Sequence, residues 1–398
     1  MRGVKNWKSI TRHNADSIEV FWRFSERFFK KLLCTPLGGY TVLVTRGEMM
    51  VLRLAGRCRD LPAQVPDFLD RKIFRTLIHI GWLRYAASET SIRLTEEGKR
   101  VLLSQGFDYP QDKQSLGNGI ALQRRVQSAA VLLMAQCAGA DVFLEEVPQP
   151  GAGMGYLPAQ VLRGGRQSNL LGSCGMTGFL YTSQTVFVPY VLRGGLYPSA
   201  EQRVFTTRYL TGGRNPAVIY TGRGGYEELL SDLFRITVPE GPKHTASDYQ
   251  ESMRYFDCPV FLVPVSEAGV RQLRILCVPS YRERAAKSIL RGEYRPAGNV
   301  WCDALYNPAG EPLVIGFDFD LKRVGAAIRS SLEKRVHIAV LEGQEKALLR
   351  YLRGRRAVLH PYPVEDIERM LGLSPALNSG WKEPYRNAEG RYLDFAFI

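Results

Sequence analysis

The sequence predicts an α/β protein, α+β when its N-terminal part is included, and three observations support this class. Between residues 45 and 107, segments with apolar residues at helical spacing surround one polar hairpin. From residue 141 onward, short β-rich runs alternate with helical segments of about ten to fifteen residues, which is typical of a mixed sheet covered by helices. The 45% apolar and 23% charged residues are those of a folded globular chain.

Charge indicates the class of partner that the surface favours. The 398 residues include 53 Lys and Arg against 39 Asp and Glu, a net charge of +14. Such a surplus favours polyanions, nucleic acid first, through electrostatic steering and counterion release. Seven scattered cysteines without a Cys-x-x-Cys pair disfavour a zinc ribbon or a disulfide framework. With neither a secretory signal nor a spanning apolar run, the cytoplasm is the expected compartment.

The first folded unit is predicted at residues 45–109, after an N-terminal extension of residues 1–44. The stretch "TRGEMMVLRLAGRC" begins at a capping Thr45 and indicates a helix, and "LPAQVPDFL" indicates a second short helix or a turn. The stretch "DRKIFRTLIHIGWLRYA" begins at a capping Asp70 and indicates a third helix. A polar turn, "ASETS", the strand "SIRLT" and the helix "EEGKRVLLSQG" complete the unit.

This order of elements resembles a winged helix-turn-helix, and "LIHIGWLRYAASETSIRLTEEGKRVL" is similar to that family's recognition-helix-to-wing segment. The resemblance implies that the third helix enters the major groove of duplex DNA and that the wing contacts phosphates. The residues so assigned are Arg71, Lys72, Arg75 and His79 on the helix, with Arg84 and Arg93 beside the wing. Two alternatives stay open: an ordinary solvated helix face, or a unit that binds protein instead of DNA.

Residues 110–119, "PQDKQSLGNG", are the predicted linker, and residues 120–398 the α/β domain, with a division near residue 295. The segment "GYLPAQVLRGGRQSNLLGSCGMTGFLYTSQTVFVPYVL" lies between the winged helix and "CDALYNPAGEPLVIGFDFDLK". This arrangement resembles the replication-relaxation-type proteins of bacterial plasmids and conjugative elements. The resemblance implies DNA handling in replication or transfer, with a restriction-endonuclease-like region at residues 296–398.

The most informative stretch is "CDALYNPAGEPLVIGFDFDLKRV", residues 302 to 324, which indicates two extended segments joined by a turn. Strand alternation would place Asp318, Asp320 and Lys322 on one face of the second segment, with Asp303 across the turn. Crowding of these carboxylates predicts that at least one titrates above its usual range. A hydrated strand face without chemistry is the alternative.

These residues resemble the acidic and acidic-x-Lys elements of restriction-type, PD-(D/E)xK, nucleases. The resemblance implies Asp303 and Asp320 as Mg²⁺ ligands and Lys322 as the group that orients the attacking water. Asp318 is a further ligand, or the second ligand in an alternative register. Arg323 and Arg329, just downstream, are expected to contact phosphates.

The predicted function is that of a DNA-binding accessory protein of a plasmid or conjugative element, acting in replication or transfer. Its expected partner is double-stranded DNA, and a homodimer or an assembly with other mobile-element proteins stays open. One alternative is an Mg²⁺-dependent DNA nuclease, so that Mg²⁺ is a cofactor only if the chain is an enzyme. The other is a winged-helix transcription regulator with a sensing domain.

Overall fold

The computed structural model describes residues 42–87, 89–108, 119–163, 176–192, 211–234, 258–331, 334–352 and 354–395. The chain divides into two compact units, one formed by its terminal segments and one by Arg46–Glu383. In the terminal unit, β1 (Val42–Leu43) pairs antiparallel with the last described strand, β14 (Asp394–Phe395). The predicted extension and linker lie outside the described residues, except for residues 42–44 and Gly119.

The first part of the larger unit is a three-stranded antiparallel sheet with three helices. Its elements are α1 (Arg46–Cys58), β2 (Leu61–Pro62), α2 (Arg71–His79), β3 (Leu83–Tyr85), β4 (Ser91–Leu94) and α3 (Glu96–Ser104). The strand order is β2-β4-β3, and a turn, not a helix, joins β2 to α2. The predicted cap of α2 is confirmed, because the Asp70 side chain accepts a hydrogen bond from the Lys72 backbone N–H. Leu52, Leu77 and Ile92 are fully buried at the centre of this part.

The middle of the unit is a five-stranded mixed sheet. Its elements are α4 (Ile120–Cys137), β5 (Gly155–Pro158), α5 (Ala159–Arg163), β6 (Gly178–Tyr181), β7 (Thr185–Val191), β8 (Asn215–Thr221), α6 (Tyr226–Phe234) and β9 (Val260–Leu262). The strand order is β5-β6-β7-β8-β9, antiparallel up to β7 and parallel from there. The first β-rich run after residue 141, "DVFLEEV", is not a strand, because the Asp141 carboxylate accepts from the Phe143 N–H in a local turn that competes with a strand.

The last part holds a four-stranded mixed sheet, in the order β10-β11-β12-β13. Its elements are α7 (Glu267–Leu276), α8 (Tyr281–Leu290), a 3₁₀ turn (Arg291–Glu293), β10 (Ala304–Leu305), β11 (Pro312–Ile315), α9 (Leu321–Ser330), β12 (Val336–Leu341), α10 (Glu345–Tyr351), β13 (Ala357–Tyr362) and α11 (Val364–Met370). The predicted hairpin is confirmed, since β10 and β11 pair antiparallel across a turn closed by the Gly310 N–H on the Asn307 carbonyl. The strands β11, β12 and β13 are parallel.

The two larger sheets share one hydrophobic core. Val218 of β8, Val314 of β11 and Ile338 of β12 belong to the same buried cluster. The Leu262 N–H, at the end of β9, donates to the Asp318 carbonyl at 3.4 Å, so the edge strand of the five-stranded sheet contacts the segment that follows β11. The predicted class, mixed α/β with helices against the sheets, is therefore confirmed.

Candidate nucleic-acid interface

Helix α2 carries the predicted cationic face. Arg71, Lys72, Arg75 and His79 are all exposed, whereas Phe74 and Leu77 on the opposite side are buried. Positions separated by three or four residues share one side of a helix, so the four basic residues form a single stripe. This basic stripe, as we call it, contains no carboxylate, because the acidic residue nearest in sequence, Asp70, caps the helix from outside.

The two wing arginines differ in their surroundings. Arg84 and Arg93 are cross-strand partners on β3 and β4, and Arg84 is exposed. Arg93 instead places its Nε 2.5 Å from the Oδ1 atom of Asp60, which is fully buried. A cation committed to an internal carboxylate contributes little to a phosphate contact. Arg93 is therefore held in an internal ion pair, and Arg84 is the exposed arginine of the predicted pair.

Asp60 connects the hairpin to helix α4. Its Oδ2 atom lies 2.7 Å from the Arg125 Nε of α4, and its Oδ1 atom also accepts from the Ser91 hydroxyl. Burial opposes ionisation of Asp60, but these hydrogen bonds and that from Arg93 outweigh burial and hold its pKa below the usual range. Asp60 is thus an ionised internal group that fixes the wing against the rest of the unit.

The predicted alternation of Asp318, Asp320 and Lys322 along a strand is wrong. Strand β11 ends at Ile315, and the chain then turns through Phe319, whose φ is +56°. Asp320 caps α9, because its Oδ1 atom accepts from the Arg323 N–H at 3.0 Å, and Lys322 lies in the first turn of that helix. An Asp directly before an apolar helical repeat is an N-cap signal, and this local preference prevails over the strand pattern.

Asp318 is paired inside the protein. The residue is 1% exposed, and its Oδ2 atom accepts from the Tyr281 hydroxyl at 2.5 Å and from the Arg282 Nε at 2.8 Å. Burial alone would raise the pKa of Asp318, but the charges of Arg282 and Arg323 outweigh it and hold that pKa below its usual range. The carboxylate is therefore ionised and neutralised by arginine.

The pKa of Asp320 is raised rather than lowered, as the sequence predicted for at least one of these carboxyl groups. Burial, together with the neighbouring charge of Asp318, raises the pKa of Asp320 to about 6. The prediction of a raised value is confirmed, although the cause is burial and one carboxylate, Asp318. The one cap hydrogen bond stabilises the ionised form of Asp320 less than the two hydrogen bonds from Arg282 stabilise the ionised form of Asp318.

Asp303 lies in a separate ion pair. Its Oδ2 atom is 2.6 Å from the Arg323 Nη2 and also accepts from the Ile315 N–H at 2.7 Å. Arg323 is only 7% exposed, so the structure corrects its predicted role as a phosphate contact. Arg329, in the last turn of α9, is exposed.

These contacts show whether the three acids can form the predicted metal site. Within the described ranges, no three His, Cys, Asp or Glu side chains are grouped so that they could hold a metal ion. The oxygens of Asp303 and Asp318 face guanidinium groups, and Asp320 faces a backbone N–H. This set of neighbours neutralises the carboxylates internally and does not fit Mg²⁺, which requires several free oxygen ligands in near-octahedral geometry. The expectation that the three acids converge as ligands is therefore corrected.

Sequence reasoning missed a cluster in the last sheet, formed by Tyr306, Glu311, His337 and His360, which we call the Tyr306 cluster. The Glu311 Oε2 lies 2.9 Å from the His337 Nε2, and the His337 Nδ1 lies 2.8 Å from the His360 Nε2. The Tyr306 ring stacks on both imidazoles, at centroid distances of 4.0 and 4.9 Å. The histidines are far apart in sequence, and only the parallel register of β12 and β13 brings them together.

The tautomers of the two histidines follow from the Glu311 carboxylate, which can only accept a hydrogen bond. Hydrogen bonds from His337 and Asn307 lower the pKa of Glu311, so the carboxylate is ionised and the His337 Nε2 must donate to it. In the neutral pair, the His337 Nδ1 then accepts from the His360 Nε2–H. Burial and the proximity of His337 lower the pKa of His360, so that it stays neutral near pH 7.

Comparisons of the chain with protein-family models, with curated proteins and with solved structures gave no match. Among the helices that the structure describes, none is both long and apolar enough to span a bilayer.

Proposed function

We propose that this chain binds double-stranded DNA through helix α2, as an accessory protein of a plasmid or conjugative element that acts in replication or transfer. The observation that carries the proposal is the basic stripe, four exposed basic residues on one side of a well-capped helix. The link to a mobile element comes from the sequence resemblance described above.

The arrangement around α2 supports a winged-helix docking mode. In that mode the second helix of a helix-turn-helix lies in the major groove and a hairpin follows it along the duplex. Here α2 directly precedes the β3–β4 hairpin, and β4 lies between β2 and β3 in the sheet. Arg84 is exposed at the start of this hairpin, on the chain segment that follows the basic stripe.

Charge and shape together favour duplex DNA over an acidic protein. A helix with its side chains is about as wide as the major groove, so the basic stripe would reach phosphates on both flanking strands. Arginine forms bidentate hydrogen bonds to phosphate or to guanine, and two of the four stripe residues are arginines. The part of the affinity that comes from phosphate contacts falls steeply as the salt concentration rises.

The proposal does not include cleavage. The nuclease alternative depended on a cluster of free carboxylates with a lysine, and the contacts of Asp303 and Asp318 are with arginines. The regulator alternative differs from an accessory role in its expected selectivity. A regulator would bind one operator far more tightly than random duplex, typically by 10³-fold or more, so competition with unrelated duplex separates the two.

The test is a triple substitution on the basic stripe, Arg71→Ala, Lys72→Ala and Arg75→Ala. We expect a loss of duplex affinity of at least about tenfold, and a salt dependence shallower by up to about three units of log K against log salt. Fluorescence anisotropy with a labelled duplex between low and physiological salt measures both quantities.

A matched control removes three equally exposed charges elsewhere: Arg100, Arg369 and Arg391, whose side chains are 75, 77 and 81% exposed. The two triple variants have the same net charge, so non-specific attraction falls equally in both. If they lose the same affinity, or if the stripe variant binds like the unaltered chain, α2 is not the DNA-binding surface.

A further inference from the structure

The Tyr306 cluster forms a preorganised stack of rings. The His337 and His360 imidazoles lie side by side, joined by their hydrogen bond, and the Tyr306 ring lies nearly parallel to them, at 16° and 29°. Glu311 holds the first imidazole in place through its other nitrogen. Three planar groups are thus fixed without relying on a ligand, which lowers the entropic cost of binding one.

The stack is partly accessible to solvent. Tyr306, His360 and Tyr362 are all partly exposed, although His337 beneath them is buried. One face of Tyr306 packs against the imidazoles, and the ring is partly exposed. Strand β13, which carries His360 and Tyr362, is the outermost strand of this sheet in the described part of the chain.

Exposed cations directly precede the two strands that carry the histidines. Lys334 and Arg335 come directly before β12, Arg355 and Arg356 directly before β13, and all four are exposed. The two pairs are neighbours, because the Val336 N–H donates to the Arg356 carbonyl. Arg335 is also close enough to lower the pKa of Glu311, which places its charge beside the cluster.

The single carboxylate of the cluster does not cancel this positive charge. The Glu311 side chain is partly exposed, and its Oε2 atom accepts from the Asn307 amide at 2.6 Å as well as from His337. Four exposed cations precede the two strands against this one carboxylate, so the local charge is positive.

We propose that this surface binds single-stranded nucleic acid, with a base stacked on Tyr306 and the neighbouring phosphates held by Arg335 and Arg356. Ring faces beside a cationic track are the two elements that single strands require, because an unpaired base exposes a π-face and its backbone stays charged. A duplex hides its base faces in the helix and cannot use the stack. The site is distinct from the basic stripe, so this inference does not depend on the duplex-binding proposal.

The test compares a labelled oligothymidylate of about twelve nucleotides and the matching oligouridylate by fluorescence anisotropy. The full chain is expected to bind at least one of them at low salt. Tyr306→Leu should weaken that binding about tenfold or more through loss of stacking, whereas Tyr306→Phe, which keeps the ring, should leave it within about twofold. Duplex affinity should be unchanged in both variants.

A second variant keeps the proposal testable if Tyr306→Leu does not fold. Arg335→Ala with Arg356→Ala alters two exposed side chains, and should flatten the salt dependence of oligothymidylate binding by about 1.4 units, at roughly 0.7 per phosphate contact. The basic-stripe triple variant should bind the single strand normally.

Three results would overturn the inference. They are absence of single-strand binding by the unaltered chain at low salt, equal affinity of Tyr306→Leu and Tyr306→Phe, or loss of single-strand binding in the stripe variant. The last result would mean one shared site on α2. Failure of the duplex proposal alone would instead appear as an unaffected duplex affinity in the stripe variant, with single-strand binding intact.

Discussion

Asp318 and Asp320 provide the sharpest test of how the acidic segment works, because they are two residues apart and differ in their partners. Asp318→Asn and Asp320→Asn each remove one charge without changing the shape of the side chain. In the first variant, Arg282 loses its carboxylate while its side chain is only 28% exposed. In the second, the amide oxygen of Asn still caps α9, since Asn and Asp are equally good N-caps.

The expected magnitudes follow from these partners. Removing one member of a buried ion pair costs about 3 to 5 kcal/mol, and the partial exposure of Arg282 places Asp318→Asn near the lower end, about 3 kcal/mol. Asp320→Asn should instead stabilise the protein above pH 6, by at most about 3 kcal/mol if the whole elevation of the Asp320 pKa to about 6 is relieved.

The pH dependence has opposite signs at the two positions. The pKa of Asp320 is higher in the folded than in the unfolded state, so its ionisation costs stability above pH 6, and that cost disappears as the pH falls from about 6 to 4. The pKa of Asp318 is lowered in the folded state, so its contribution is complete above the unfolded value and is lost only in stronger acid.

Urea unfolding at pH 8, 6 and 5, followed by tryptophan fluorescence, measures these differences as shifts of the midpoint at constant m-value. The gap between Asp318→Asn and the unaltered protein should widen modestly at pH 5, because at pH 8 the loss of the Asp318 charge also relieves part of the cost of ionising Asp320. The gap for Asp320→Asn should narrow at pH 5. Equal destabilisation by both substitutions, or a loss under about 1 kcal/mol for Asp318→Asn, would refute the ion-pair reasoning.

Three further predictions concern other parts of the fold. Asp60→Asn should lower the free energy of unfolding by about 3 to 5 kcal/mol, because Arg93 and Arg125 lose their buried partner, while duplex affinity of the folded protein stays the same in anisotropy. Millimolar Mg²⁺ should neither raise the melting temperature nor produce nicked plasmid; a rise would indicate a cation site that the described residues do not form. Gly269→Ala should cost about 3 kcal/mol in urea unfolding, since the new Cβ would lie 1.7 Å from the Pro264 carbonyl oxygen, and a neutral result would contradict the close approach of α7 to that turn.

Local signals in the sequence predicted the first part of the fold well. Asp70 marks the start of α2, the glycine at the end of that helix has a positive φ of +81°, and the exposed stripe follows from helical spacing. The hairpin before β11 was equally visible, because Asn307–Gly310 is a sequence that closes a tight turn. Such features depend on residues a few positions apart, and their preferences persist in the folded chain.

The acidic segment shows where local reasoning fails. Alternation of Phe with Asp over four residues fits a strand, but the same residues also contain an N-cap before a helix, and both patterns satisfy local rules. Burial decided between them: Phe317 and Phe319 are fully buried, and Asp318 between them is buried as well, beside Arg282 from a distant helix. The sequence around Asp318 gives no indication of Arg282, the arginine that neutralises it.

The sequence by itself determined the class of the fold, the caps and turns, and the cationic face of α2, since each depends on side chains within about one helical turn or one hairpin. Only the tertiary structure decided which cations form internal ion pairs, because Arg93 and Arg323 are paired with carboxylates that are distant in sequence. It also decided the Tyr306 cluster, because parallel strands place His337 beside His360 only after a helical crossover has closed. Electrostatic pairing and sheet register act through space, and a one-dimensional pattern does not encode them.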